Sequence, residues 1–154
     1  MTTHKTVRKL NAIPADKEWF TLEVDDDVDP MGVVTSAGYN PSGWKYLGPE
    51  LSGKMPLQVK LVRLGYVRNL KGAREKADEL GYRLVEGQAA RELKFRFSKP
   101  AGKGPVAFGG SEWQGPDGRA RVTYFDDFGG AWGSGFRLSA RDFRVVWRWL
   151  VVDK

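Results

Sequence analysis

The chain of 154 residues has no cysteine and a single histidine, His4. The first absence excludes disulfides, thiolate nucleophiles and the common structural zinc sites. The second leaves imidazole catalysis and multi-histidine metal sites without their residues. No stretch approaches the roughly 18 apolar residues that cross a bilayer, so no membrane insertion is expected. Residues 1–10 are polar and lack the apolar core of a secretory signal.

A local absence says more. Residues 118–152 contain no lysine, glutamate, glutamine or methionine, types that make up about a fifth of the residues before them. The same stretch holds three of the six tryptophans. Two glycine-aromatic clusters interrupt it, Gly129-Gly130-Ala131-Trp132 and Gly135-Phe136. It closes in the apolar run Val145-Val146-Trp147-Arg148-Trp149-Leu150-Val151-Val152.

What is present fits one domain with one core. Hydrophobic content of 41% and charged content of 29% are those of a folded globular chain, not a disordered one. The 19 glycines and eight prolines imply many turns and irregular loops. The net charge of +6 is unevenly spread: residues 1–56 carry six Lys/Arg against eight Asp/Glu, and residues 57–154 carry 19 against 11. A basic C-terminal part permits an acidic partner, including nucleic acid. A solvated basic surface is the simpler reading.

Residues 1–18 show no periodicity and read as an arm. Trp19-Phe20-Thr21-Leu22-Glu23-Val24 reads as a strand. It runs into Asp25-Asp26-Asp27-Val28-Asp29, whose spacing fits no EF-hand loop and is expected to be a solvated acidic loop. Residues 31–56 read as loop with one short strand or hairpin, anchored by Tyr39, Trp44, Tyr46 and Leu47. Residues 57–67 alternate as a strand. Residues 70–80 switch to helical spacing, with Ala73, Ala77 and Leu80 on the inner face, Asn69 as N-cap and Gly81 just past the end. Residues 82–85 are extended. A second helix spans 86–97 with Ala89, Ala90, Leu93 and Phe97 inward, and residues 98–104 break it. Val106-Ala107-Phe108 and Arg121-Val122-Thr123-Tyr124 read as strands around a Gly115-Pro116-Asp117-Gly118 turn.

The order strand, helix, Gly-x-x-Leu, helix, irregular loops and Trp-rich final strand resembles the C-type lectin-like fold. The resemblance is carried by Ala73, Ala77, Leu80-Gly81-Tyr82-Arg83-Leu84 and a helix through Arg91, Glu92 and Leu93, and it covers about residues 57–152. It implies an α+β fold with two helices packed on small antiparallel sheets. The first helix would end at the glycine, the leucine would enter the core, and the second helix would pack across it. Residues 1–56 form an arm and loop-rich segment packed on the same domain, with 57–154 as the domain proper. The Glu-Pro-Asn, Gln-Pro-Asp and Trp-Asn-Asp triplets of calcium-dependent sugar-binding lectins do not occur in the sequence.

Gly130-Ala131-Trp132, Phe136 and Trp147-Arg148-Trp149-Leu150-Val151 resemble one subgroup of that fold more closely. These are the variable proteins of diversity-generating retroelements of archaeal viruses and small archaea or bacteria. In such systems a reverse transcriptase rewrites template adenines, and AAC or AAT codons become any codon ending in C or T. Lys, Glu, Gln, Met and Trp cannot result; the first four are the types missing from 118–152, and its tryptophans fall at framework positions. Strand propensity accounts for part of the same bias.

The resemblance implies a variable region of about 120–147, in which substitutable contact positions alternate with a fixed framework. Glycines at turns and buried tryptophans would hold the backbone. Gly129, Gly130, Trp132, Gly135, Phe136, Trp147, Arg148, Trp149 and Leu150 are the expected framework. Arg148 is expected to stack between its flanking tryptophans or to pair with a carboxylate such as Asp142. The expected contacts are Phe125, Asp126, Asp127, Phe128, Ser134, Arg137, Leu138, Ser139, Ala140, Arg141, Phe143, Arg144, Val145 and Val146. The implied function is recognition of a protein or other cell-surface ligand, with no cofactor and no metal. Two readings from other classes stand beside it. One is a basic nucleic-acid-binding protein using the Arg/aromatic mixture. The other is an enzyme working through Asp126, Asp127 and Asp142, a reading that lacks supporting motifs, so no catalysis is expected.

Overall fold

From Trp147 onward the terminal apolar run is buried in the core of the molecule. Strand β8 (Arg148–Asp153) carries five consecutive buried residues, as a strand covered on both faces requires. Side chains alternate across it, so Trp149 and Val151 enter one apolar cluster while Leu150 and Val152 enter another. In the computed structural model, which describes residues 16–96, 104–127 and 132–154, this strand belongs to one sheet of eight. The expected arm over 1–15, Phe97, residues 98–103, Phe128, Gly129, Gly130 and Ala131 lie outside the described residues.

The sheet runs β1 (Phe20–Asp25), β3 (Lys54–Arg63), β8, β5 (Val106–Gln114), β6 (Ala120–Asp127), β7 (Trp132–Leu138). Two short strands join from the side: β2 (Lys45–Tyr46) on β5 and β4 (Tyr82–Leu84) on β8. All pairs are antiparallel except β5 with β8, which is parallel at Val106↔Arg148 and Ala107↔Trp149. The small antiparallel sheets expected from the sequence are therefore one large mixed sheet. The reason is β8, which pairs with β3 along one edge and with β5 and then β4 along the other.

Helices cover the two faces separately. On one face α2 (Leu70–Glu79) sets Leu70, Ala73 and Ala77 against Val62, Ala107, Val122 and Trp149. On the other, α3 (Ala89–Arg96) sets Ala89, Ala90 and Leu93 against Leu22, Val59, Phe108 and Leu150. The expected packing of the second helix across the first is thus replaced by a sheet lying between them. Each fully buried Leu or Val in these layers contributes roughly 1.5–3 kcal/mol.

Local sequence explains the helix ends. The Asn69 side chain accepts from the Gly72 N–H at 2.8 Å. Gly81, at φ +85°, turns the chain in the left-handed region. Leu84 then enters the core, but Leu80 does not: it is 50% exposed. Leu80 is the C-cap and already non-helical (ψ 1°), so the helical spacing that placed it inward stops one residue short. The second helix begins at Ala89, after turn bonds from Ala89 N–H to Glu86 O and from Ala90 N–H to Gly87 O. Gly87 permits this turn because a Cβ there would lie 2.4 Å from the Trp113 ring.

Residues 31–56, read as loop, contain a helix, α1 (Met31–Ser36). Asp29 accepts from the Met31 N–H at 2.9 Å, and Val33 and Val34 bury against Trp113. Trp113 Nε1 donates to Pro30 O at 3.2 Å. This helix is made by a tertiary partner some eighty positions away, which no local pattern discloses.

Candidate functional site

The C-terminal stretch is built on the β6–β7 hairpin, paired from Arg121↔Leu138 to Asp127↔Trp132, with β7 as the sheet edge. A Gly115–Gly118 turn leads into β6, closed by Gly118 N–H to Gly115 O at 2.9 Å. Both Asp117 oxygens accept from the Arg121 guanidinium, at 2.8 and 2.7 Å, which holds the Asp117 carboxyl well below the usual carboxylate range.

Past β7, the chain is tied down at intervals. Ser139 N–H donates to Ala120 O, and Ser139 O accepts from Leu70 N–H at the start of α2. Phe143 exchanges two backbone hydrogen bonds with Val67, at 2.9 and 3.0 Å. Arg137 Nε and Nη2 both donate to the Asp142 carbonyl. The same guanidinium lies 5.1 Å from the Phe143 ring centroid and 5.3 Å from that of Trp147. Phe143 in turn meets Trp147 and Trp149 edge-on, at 5.1 and 4.8 Å.

These contacts divide the expected contact residues. Phe125 and Phe143, 2% and 0% exposed, cannot meet a ligand. β6 extends past Tyr124, so Phe125 falls on the α3 face beside Phe108, while Phe143 is pinned by Val67 on the α2 face. Arg137 is spent on the loop it clamps. Asp126, Ser134, Leu138 and Ser139 are half-buried, and Ala140, Arg141, Arg144, Val145 and Val146 are exposed, Val145 at 64%. Asp127 ends β6 and Trp132 opens β7. Phe128 lies outside the described residues.

Among the expected framework residues, Trp147, Arg148, Trp149 and Leu150 are buried. Phe136 is half-buried in an aromatic cluster, 4.9 Å from Trp44, 5.6 Å from Trp113 and 5.9 Å from Tyr39. Gly130 lies outside the described residues. Arg148 does not sit between its tryptophans, because strand alternation sends it to the opposite face. Asp142 is not its partner either, being engaged by Arg137. Instead Arg148 Nη2 donates to Gly104 O at 2.8 Å, and Nη1 lies 3.8 Å from Asp16. Asp16 also accepts from Arg63 Nε at 2.9 Å, so one carboxylate serves two guanidiniums. Burial pulls the Arg148 guanidinium below its ordinary pKa, Asp16 opposing this and Arg63 adding to it.

Leu138, Ser139 and Ala140 are brought together in a groove of about 480 Å³. It is also lined by Asn69, Lys71 and Arg74 from α2 and its cap, and by Glu112 and Arg119. Of these wall residues, the sequence marks Asn69 as a cap, Arg74 as outer-face charge on the helix and Arg119 only as the start of the Arg/aromatic mixture of the nucleic-acid reading. The join of Leu70 to Ser139 that forms the groove spans 69 positions and leaves no local trace. Val145 and Val146 lie elsewhere: Arg63 Nη1 donates to Val146 O at 2.9 Å, on the Arg148 side of the sheet.

Among the described residues, no group of three or more His, Asp or Glu side chains is arranged to hold a metal ion. No helix among them is long and apolar enough to cross a membrane. Comparison with protein-family models, curated proteins and solved structures returned no significant match.

Proposed function

We propose that this is a recognition protein of the C-type lectin-like kind, the variable protein of a diversity-generating retroelement. Its C-terminal surface binds varied targets, foremost proteins on a host or neighbouring cell. The single observation that carries this reading is the division within residues 137–149. Arg137, Phe143, Trp147, Arg148 and Trp149 are interlocked or buried, whereas Ala140, Arg141, Arg144, Val145 and Val146 between them are exposed. A surface rewritten from copy to copy needs this separation, because positions that change cannot also hold the fold. The helix ending at Gly81, the buried Leu84 and the Trp-bearing final strand support the lectin-like part of the reading.

Binding by such a surface needs no reaction chemistry. A few side chains dominate the affinity of such a contact, arginine prominent among them, and Arg141 and Arg144 are both exposed. The reading is tested in the flanking DNA. It expects a near-copy of the 3′ end of the gene, adenine-rich at the codons for the exposed positions, beside a reverse-transcriptase gene. Absence of both overturns the retroelement reading.

A further inference from the structure

We propose that the groove between the amino end of α2 and the start of β6 binds an acidic polypeptide segment, with Lys71 and Arg119 as its cationic contacts. The inference deepens the recognition reading, on which it rests for the part played by Leu138, Ser139 and Ala140.

The charges decide the ligand class. Three cations, Lys71, Arg74 and Arg119, line the groove against one carboxylate, Glu112. Arg74 is already committed: Nη2 lies 3.5 Å from Glu112 and Nε donates to Gly109 O at 3.0 Å. Lys71 and Arg119 are exposed and have no ion pair among the described residues. Asp117 is bonded through both oxygens to Arg121 and makes no ion pair with the Arg119 side chain. Two uncommitted cations therefore face the same opening, at the positive end of a helix. The helix supplies field more than donors, because the N–H groups of Leu70 and Gly72 are satisfied by Ser139 O and the Asn69 side chain.

The remaining lining favours polypeptide over nucleic acid. Leu138 and Ala140 offer apolar surface, and the groove has room for a few side chains. No aromatic residue lines it, so bases have nothing to stack on. A nucleic-acid strand brings a phosphate with every nucleotide and calls for a longer basic track than two side chains. Lys71 and Arg119 also lie outside residues 120–147. A fixed wall would then select acidic targets as a class, while Leu138, Ser139 and Ala140 refine the choice.

The test is a fluorescence-anisotropy titration of the full chain with a labelled peptide of alternating Asp and Leu. A Lys/Leu peptide and an oligothymidylate are the comparators. The acidic peptide is expected to bind in preference to both, with affinity falling as ionic strength rises. Lys71→Ala with Arg119→Ala should weaken it on the order of tenfold. Lys54→Ala with Lys76→Ala removes the same charge outside the groove and should leave it unchanged. Equal binding by wild type and the Lys71/Arg119 variant, or tighter binding of the oligonucleotide through these two residues, overturns the proposal. Such a result leaves the recognition reading to its own test in the flanking DNA.

Discussion

Arg137 Nε donates to the backbone carbonyl of Asp142 at 3.1 Å, five positions along the chain, and so closes the segment between them into a clasp. The clasp carries no requirement on the side chains of Leu138, Ser139, Ala140 and Arg141, which is what a substitutable loop needs. Arg137→Ala should cost about 1–2 kcal/mol through the lost hydrogen bonds and ring contacts. Arg137→Lys should recover little of it, because an ammonium lacks the planar fork that reaches the carbonyl while lying over two rings. Thermal unfolding gives the first quantity. Amide exchange over residues 138–142 should report faster opening in both variants.

Phe143 and its neighbours should differ sharply. Phe143→Ala empties a site walled by Trp147 and Trp149 and should cost about 3–5 kcal/mol. Arg144→Ala and Val145→Ala, both exposed, should stay within about 0.5 kcal/mol of wild type. Denaturant titration of the three variants checks this, and comparable losses at all three would show that the surface positions also hold the fold.

Gly87→Ala should destabilise the protein by about 1–3 kcal/mol through overpacking. The new methyl would meet the Trp113 ring at 2.4 Å, and Trp113 is held by its bond to Pro30. Tryptophan fluorescence during denaturant unfolding should record both the lower midpoint and the displaced ring.

Glu86 supplies a pH signature. Burial first, and then Asp26, raise its pKa above 4.5, while Arg83 and a backbone hydrogen bond pull the other way. The folded state therefore binds the proton more readily than the unfolded chain, and this group's penalty grows as pH rises through the folded value. Glu86→Gln should unfold at a higher temperature than wild type at pH 7. The gap should close as pH falls towards 4.5, where the unfolded glutamate also takes its proton. Melting curves from pH 4 to pH 8 follow the convergence, and a gap that widens on acidification would mean that folding lowers the proton affinity of Glu86.

Much of the architecture was legible where a period repeats locally. The strands β1, β3, β4 and β8 and the helix α2 follow from alternation, helical spacing and the Asn69 and Gly81 ends. Long-range joins were not legible. Val33 and Val34 need Trp113 to become a helix face, and Phe143 needs Val67 to become a pin. Phe125 reads as a loop residue in the sequence because the alternation stops at Tyr124, three residues short of the strand's end at Asp127. Glycine-rich sequence around an apolar residue leaves burial undetermined, since a loop and a pinned bridge read alike until their partner is known. The residue types missing from 118–152 mark a region, and its geometry separates the exposed positions from the framework.

The most direct measurement is the sequence of sibling copies of this gene from one population. The account predicts amino-acid differences concentrated at Ser134, Leu138, Ser139, Ala140, Arg141, Arg144, Val145 and Val146, arising at adenines. Phe125, Arg137, Phe143, Trp147, Arg148 and Trp149 should be unchanged. Differences spread evenly along the chain, or falling on the framework as often as on the exposed positions, would contradict it.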